Sequence, residues 1–253
     1  MAYENPIPYL DEDISCDESE TLLDYEPINE VYFAFIDVLG FKRDFDNMKI
    51  SQEDIPNKYR DVFNYYFSLM NASKFMNEGK SKECYAGQTS DSLYFYTKRT
   101  DYLMQFIKIY SHFSLYAMSK NVFFRGGIAK GKLFKKEMYQ FYGDSVIGAY
   151  LLECNISKNP IIVIDDQTHD DMCGISEYND IVETSGERHY IKPFHYLNRK
   201  IDLDIDSSVE LKQIKPQCIQ DHISKNKKAF EYDEKNYNKY TFLLNQFIEN
   251  SNK

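Results

Sequence analysis

Two aspartates stand where their carboxylates could perform chemistry together. Asp37 ends the apolar run 31–38, which is rich in β-branched and aromatic residues and is followed by a glycine, as is typical of a buried strand. Asp91 lies between Ser90 and Ser92, at the tip of a predicted hairpin. A carboxylate at the end of a buried strand is costly unless a positive charge meets it, and a metal ion is the usual solution. The pair therefore predicts a metal site.

The expected metal chemistry is that of two hard divalent cations. Two such ions roughly 4 Å apart form a clamp for in-line displacement at phosphorus, and the backbone carbonyl of Val38 would be an additional ligand. The five histidines and five cysteines are scattered, with no CxxC, HxxxH or HExxH pattern. The ligands must therefore be oxygen atoms, which favours Mg²⁺ or Mn²⁺ over zinc.

Simpler interpretations of the two aspartates remain open. Asp is common in turns, so Asp91 taken alone is explained as a turn residue, and Asp37 could cap a turn. A haloacid-dehalogenase-type phosphatase also places an Asp at a strand end. That chemistry needs a second Asp two residues later, and Leu39 occupies the position.

Residues near the first aspartate favour phosphate binding. Gly40 permits a tight turn, and the backbone amides of Phe41 and Lys42 would face a triphosphate if they open a helix. Lys42 and Arg43 are candidates for the β- and γ-phosphates, with solvated helix charges as the alternative. Arg125 precedes two glycines on a predicted strand. It could contact phosphate or support the site, and a structural salt bridge is the alternative.

The elements that must position these residues follow the order β-α-β-β-α-β-β-α-β. Strands are predicted at 31–38, at 83–86 and 92–96 as a hairpin linked by 87–91, at 122–129 with a turn at Gly131 and a return through 133–134, and at 161–164. Helices are predicted at 57–77 after Pro56, at 101–119, at 143–157 with Asp144 as its N-cap, and at 219–250, with a short helix and a strand within 166–200 and a loop at 201–215.

This order is that of a ferredoxin-like α+β core, an antiparallel-rich sheet with helices packed on one of its faces. In such a sheet the first strand and the return strand of the hairpin are neighbours. The two aspartates, which lie at corresponding ends of those strands, would then point at one another.

The charge distribution separates the N-terminus from the rest of the chain. The 253 residues carry a net charge of −10, yet residues 1–30 contain ten acidic residues and no Lys or Arg, which leaves 30 acidic residues against 30 basic ones. The segment 1–30 is interpreted as a solvated acidic arm, or alternatively as an autoinhibitory or partner-binding tail. The balance of the remaining chain excludes a nucleic-acid-binding surface. No apolar run could span a bilayer, and the first residues are polar and acidic, so we expect a cytoplasmic protein without membrane contact.

Four segments, in this order along the chain, resemble the motifs of class III nucleotide cyclases. They are 35–41 and 90–92, which resemble the two metal motifs, 125–131, which resembles the R-x-G-I-x-x-G strand, and 143–153, which resembles the G-x-x-V-x-x-A helix. The resemblance covers roughly residues 31–165. It implies that Asp37, Val38 and Asp91 hold the metal ions, with Arg125 as a further catalytic residue. We accordingly expect a cyclase domain at 31–200, between the acidic arm at 1–30 and a helical extension at 201–253 packed on that domain.

The departures from the purine cyclase pattern point to a different substrate. Purine cyclases carry an Asn and an Arg on the last motif helix, and the matching places here are Ile147 and Leu151. Their base-reading positions fall on Gly87 and Gln140. The metal motifs are present and the purine-reading residues are absent. In this the chain is most similar to the bacterial Pycsar pyrimidine cyclases. Segments 149–153 and 238–243 also resemble that branch.

That resemblance implies cyclisation of UTP or CTP to a 3′,5′-cyclic mononucleotide, with a slight preference for UTP. It also implies a homodimer with composite active sites, and a separate membrane or NADase effector that responds to the cyclic nucleotide during phage infection. Two alternatives remain. One is a catalytically silent homologue that binds a nucleotide as a sensor, which the loss of the Asn and Arg favours. The other, weaker, is a purine cyclase.

Overall fold

The computed structural model describes residues 26–42, 57–78, 83–136, 140–199, 201–207 and 209–251. The strands are β1 (Glu26–Val38), β2 (Cys84–Thr89), β3 (Ser92–Thr97), β4 (Phe124–Lys135), β5 (Phe141–Tyr142), β6 (Ile162–Ile164), β7 (Val182–Ser185) and β8 (Arg188–Ile191). The helices are α1 (Asn57–Ala72), α2 (Lys74–Glu78), α3 (Thr100–Ser119), α4 (Asp144–Leu151), α5 (Asp166–Met172), α6 (Ser176–Ile181), α7 (Pro216–Ala229) and α8 (Glu234–Ser251). A π-helical turn, Leu152–Ile156, continues α4.

Within the described residues, the strands form one mixed sheet in the order β2-β3-β1-β4-β6-β8-β7, and β5 pairs with β4. Strand β1 lies between β3 and β4 and is antiparallel to both, and β4 is parallel to β6. The first strand therefore neighbours the return strand of the hairpin. The prediction of a ferredoxin-like α+β core is confirmed.

Side-chain alternation along β1 separates two layers. Tyr32, Ala34 and Ile36 enter the main core under α1 and α3, because successive side chains of a strand point to opposite faces. Phe33 and Phe35 enter a second layer on the opposite face, which α4 covers. Helices therefore lie on both faces, and the expectation of helices on one face alone is wrong for α4.

The C-terminal helices pack through a separate core. Residues of α7 and α8 join residues of α3 and Phe123 in this cluster, among them Ile219, Tyr240 and Leu243, which are all buried. The segment between β8 and α7 is mostly loop, as predicted, although Ser73 and Ile205 form an isolated bridge. Within the described residues, no helix combines the length and the apolar character needed to cross a bilayer.

Several predicted boundaries are wrong because contacts distant in sequence decide them. Strand β1 begins at Glu26 and pairs with the far end of β4, so its first residues lie inside the segment assigned to the acidic arm. Strand β4 runs without a turn through Gly131, where a Cβ would lie 2.8 Å from the backbone nitrogen of Ser145. The glycine there permits close packing rather than a reversal, and the chain returns only at β5.

The helix boundaries differ in similar ways. The N-cap of α4 is Gly143 with a φ of 138°, and Asp144 is the first helical residue, because a side chain at 143 would meet the backbone of Lys132. The helix predicted at 57–77 is interrupted at Ser73, and the C-terminal helix is divided into α7 and α8. Pro56, Arg43 and residues 1–25 lie outside the described residues.

A close approach between α4 and β4 sets the position of the second layer. A Cβ on Gly127 would lie 2.5 Å from Leu152 Cβ and would also meet the Ala149 carbonyl oxygen. Real side chains essentially never approach this closely, so α4 and the π-turn can contact β4 only because residue 127 has no side chain.

We predict that Gly127→Ala lowers the free energy of unfolding by about 1–3 kcal/mol, because overpacking forces backbone shifts. Denaturant unfolding of the full chain measures it. Gly174→Ala is the matched control, since a Cβ there meets nothing within 4 Å, and its effect should stay within about 0.5 kcal/mol. Equal effects of the two substitutions would contradict the close-approach argument.

Candidate active site

The strand registers place Asp37 between two polar partners. Asp37 lies opposite Ser92 of β3 on one side and opposite Arg125 of β4 on the other. Residues directly opposite in antiparallel strands project from the same face. All three side chains therefore share the face that α4 covers further along β1.

A tight hairpin turn brings the second carboxylate to this position. The turn contains only Ser90 and Asp91, because Thr89 already pairs with Ser92. The predicted five-residue link at 87–91 is therefore wrong. Ser90 has a φ of 55°, and the side chain of Gln88 donates a 2.7 Å hydrogen bond to its carbonyl oxygen. This hydrogen bond holds the backbone of the turn and so the position of Asp91.

The pKa of Asp37 indicates that its carboxylate is not fully compensated by nearby positive charge. Burial, together with the negative charge of Asp91, raises the pKa of Asp37 from its ordinary value of 3.8 to about 6. The Ser92 hydroxyl, which donates a 3.0 Å hydrogen bond to Asp37 Oδ1, opposes this rise, as does the charge of Arg125. These favourable contacts do not compensate for burial beside a like charge.

Arg125 has a partner of its own. Its Nε lies 2.5 Å from Glu153 Oε1, and Glu153 is almost completely buried at the start of the π-turn. The structural salt bridge considered for Arg125 is therefore present. The guanidinium remains close enough to Asp37 to act on its pKa, so its proposed role in contacting phosphate stays a prediction.

The donor set suits a hard divalent cation. Among the described residues, no group of three or more acidic, histidine or cysteine side chains is arranged to hold a metal ion. The protein would therefore supply the carboxylates of Asp37 and Asp91, with the Val38 carbonyl as a further candidate. Mg²⁺ is usually bound in this way, through one or two carboxylates completed by substrate phosphates and water. The raised pKa of Asp37 shows that this place favours additional positive charge.

The other residues predicted to bind substrate lie in the turn after β1, on β2 and just before β5. Gly40 has a φ of 81°, which a tight turn after β1 requires. Phe41 packs against the main core, with its ring centroid 5.0 Å from that of Tyr59. Lys42 is exposed. The contact of their amides with a triphosphate stays a prediction.

Gly87 and the residue after Gln140 contact one aromatic cluster on the same face of the sheet as Asp37. Gly87 lies opposite Tyr94, and a Cβ on Gly87 would lie 2.6 Å from the Tyr94 ring. The ring centroid of Phe141, the residue after Gln140, is 5.3 Å from that of Tyr94. The Tyr94 ring therefore fills the space in which a side chain at position 87 would stand, and Gln140 itself is exposed.

Sequence reasoning missed two groups of charged residues near this centre. Glu153 was part of a motif, but its pairing with Arg125 depends on the π-turn, which no sequence pattern indicated. Three cations on α8 and the β7–β8 hairpin, Arg188, Lys235 and Lys239, were not identified as a group. The one available signal was the spacing of Lys235 and Lys239, which places both on one face of a helix.

Comparison with solved structures shows the fold. No family model matches the chain, and no curated protein matches it. Adenylate cyclases from Trypanosoma brucei in their monomeric state are similar, with a TM-score of 0.50 and 13% identity over 69% of this chain and 95% of that one. The guanylyl cyclase domain of the RhoGC fusion protein from Blastocladiella emersonii has a TM-score of 0.45 and 15% identity over 66% of this chain and 96% of that one. The guanylate cyclase domain of RhGC from Catenaria anguillulae has a TM-score of 0.44 and 15% identity over 66% and 97%. The chain has the core fold of class III nucleotide cyclase domains.

We predict that Asp37→Asn stabilises the metal-free protein above pH 6 and not below pH 4. A carboxyl whose pKa is higher in the folded state than in the unfolded state destabilises the fold when ionised. This penalty is absent below its ordinary value of 3.8 and complete above about 6. Denaturant unfolding in EDTA at pH 4 and pH 7 measures the difference. The exposed Asp221→Asn is the control, and an equal effect of Asp37→Asn at both pH values would contradict the assignment.

Proposed function

We propose that this protein is a metal-dependent nucleotide cyclase that converts a pyrimidine nucleoside triphosphate, UTP in preference to CTP, into the 3′,5′-cyclic monophosphate and pyrophosphate. The observation that carries the proposal is that the negative charge of Asp91 acts on Asp37 and helps to raise its pKa, while Arg125 lies opposite Asp37 on β4. The cyclase-like fold supports it, since the two aspartates lie at corresponding ends of β1 and the hairpin.

The reaction forms a bond between the ribose 3′-oxygen and the α-phosphorus and breaks the bond from that phosphorus to the bridging oxygen. Pyrophosphate leaves, and the proton of the 3′-hydroxyl passes to solvent. Divalent cations, when bound, supply positive charge that lowers the pKa of this hydroxyl and neutralises the leaving group.

The residues of the chain position and balance this charge. Asp37 and Asp91 provide the anionic oxygens that attract cations, and Ser92 holds one oxygen of Asp37 in place. Arg125 is proposed to contact phosphate, while Glu153 fixes the direction of its side chain. Phe41 and Lys42 are proposed to approach the β- and γ-phosphates from the turn after β1.

The pyrimidine preference is supported by the space around Gly87. Because the Tyr94 ring occupies the place of a side chain at position 87, this position offers no polar side chain to read a purine edge. Gln140 is the proposed contact to the base from the other side of the aromatic cluster. The proposed role of the product is a signal in antiphage defence, read by a separate effector protein.

One observation favours the alternative of a nucleotide-binding protein without turnover. Ile147 and Leu151 on α4 are large apolar residues that are 58% and 47% exposed. Neither can donate a hydrogen bond to ribose or stabilise charge in a transition state. A protein of this second kind would bind a nucleoside triphosphate and release it unchanged.

We predict that the full chain with Mn²⁺ forms cyclic product from UTP, less from CTP, and little from ATP or GTP. Asp37→Asn and Asp91→Asn should lower the rate by at least about 100-fold, since each removes an anionic ligand oxygen. Asp221→Asn, which changes an exposed carboxylate on α7, should retain the rate. Chromatographic separation of products from the four nucleotides measures it. Binding of UTP without product would favour the silent homologue, and product from ATP or GTP alone would contradict the pyrimidine assignment.

A homodimer with composite sites is also proposed, and exposed apolar surface supports it. Ile147, Tyr150 and Leu151 form a stripe on α4 that is about half exposed, at i, i+3 and i+4 spacing. A contiguous apolar patch of this kind marks an interaction surface. A second copy of the chain is the proposed occupant, because Tyr150 of the stripe contacts Phe35, which projects from the same face of β1 as Asp37.

We predict that Ile147→Asp combined with Leu151→Asp shifts the protein from dimer to monomer and abolishes cyclisation, because charges cannot be buried in an apolar interface without partners. Sedimentation equilibrium measures the change. Tyr232→Asp is the control, since Tyr232 is 97% exposed and lies outside the stripe. A variant that remains dimeric and active would contradict the placement of the interface on α4.

A further inference from the structure

One cavity of the structure is lined by neither Asp37 nor Asp91. It is enclosed by the segment after the π-turn, by β6, by the β7–β8 hairpin and by α8, and its volume is about 470 Å³. Pockets of roughly 300–1,000 Å³ are the size that binds small molecules. None of the residues assigned to the metal site lines it.

Among the residues that the structure describes, cations line the cavity and no acidic residue does. Lys158, Arg188, Lys235 and Lys239 contribute to its wall. Within the described part of the chain, none of these four side chains forms an ion pair. Four such charges around one cavity raise the local concentration of anions, so the cavity is built for a ligand of negative charge.

Lys239 is the most informative of these residues. Its side chain is buried, with only 7% of the residue exposed, and its ammonium donates a 3.1 Å hydrogen bond to Asn236 Oδ1. Burial and the positive charges of Arg125 and Lys235 lower its pKa, and Asp233 offsets this only in part. An ammonium has three donors, so a buried one with a single neutral acceptor gains from an anion in the adjoining cavity.

The rest of the lining is apolar, aromatic and amide. Ile161 and Val163 line the sheet side, and the rings of Tyr190 and Phe242 lie with their centroids 6.5 Å apart. Asn159 and Asn238 add amide groups that can donate and accept hydrogen bonds. Cations beside aromatic and amide groups match a molecule with a phosphate at one end and a flat, polar ring at the other.

We propose that this cavity binds a nucleotide through its phosphate groups, with Lys239 at the base, Arg188 at the rim, and the base beside Tyr190 and Phe242. The site is separate from the Asp37–Asp91 centre and does not depend on whether the chain cyclises nucleotides. Lys239 and Arg125 repel each other. An anion bound at Lys239 would reduce that repulsion, which makes the cavity a place from which the candidate active site could be regulated.

The test is calorimetric titration of the full chain in EDTA with two probes, UTP and inorganic triphosphate. Without divalent cations the carboxylates of Asp37 and Asp91 repel both probes, so binding reports the cationic cavity. We expect both probes to bind, and UTP to bind at least about 10-fold more tightly if its base contacts the aromatic wall, as base stacking on aromatic side chains indicates.

Variants separate this cavity from the rest of the surface. Arg188→Gln and Lys239→Met should each weaken UTP binding about 10-fold or more, since each removes charge-assisted hydrogen bonds to phosphate. Lys225→Gln is the matched control, because it removes an exposed cation from α7 outside the cavity, and Asp37→Asn tests the other site. Both should retain wild-type affinity. Circular dichroism checks folding, and the exposed Arg188 keeps the test valid if Lys239→Met fails to fold.

Three results would overturn the proposal. The first is that neither probe binds to the wild-type chain. The second is that Arg188→Gln and a folded Lys239→Met leave the affinity unchanged, and the third is that Asp37→Asn abolishes binding. Equal affinity for the two probes would overturn the assignment to a nucleotide. A chain that binds UTP here but forms no cyclic product retains this proposal and loses the proposed function, whereas an active chain without this binding does the reverse.

Discussion

The ion pair between Arg125 and Glu153 is the contact on which the electrostatics of Asp37 and of Lys239 depend. It joins β4 to the π-turn after α4, and the Arg125 guanidinium interacts electrostatically with both Asp37 and Lys239. The guanidinium acts on both groups, lowering the pKa of each. Removal of one partner of a buried pair typically costs about 3–5 kcal/mol, because the other charge is left uncompensated. The two candidate sites therefore share one electrostatic support.

Much of the sheet follows from local sequence. The apolar run before Asp37, the hairpin around Asp91 and the strand after Phe123 are predicted from period and turn residues alone, and the pairing of β1 with β3 follows from the order of elements. One kind of error arises at glycines that the sequence suggests are turns, but that are needed for close packing between distant elements. Gly131 looks like a turn in the sequence, yet it lies inside a long strand because α4 approaches the backbone there.

The candidate sites differ in how far the sequence predicts them. Asp37 and Asp91 each end an element whose type is predictable, so their meeting follows from the topology. The cavity near α8 does not follow from any local pattern, because Lys158, Arg188 and Lys239 come from three elements separated by long stretches of chain. The bend that lets Glu153 face Arg125 is similarly hidden, since a π-turn has no reliable sequence signature.

The irregularity in β1 separates the register at Asp37 from shifts of register nearer the N-terminus of the strand. The pairing of β1 with β4 shifts between Ile28 and Val31, where Glu30 has a φ of 46°. Ile28 and Val31 consequently face the same layer, although regular alternation would separate them. A shift of register by one residue exchanges the two faces of a strand, and a bulge can absorb such a shift locally. A shift of register at the N-terminal end of β1 can therefore be absorbed at this bulge before it reaches Asp37.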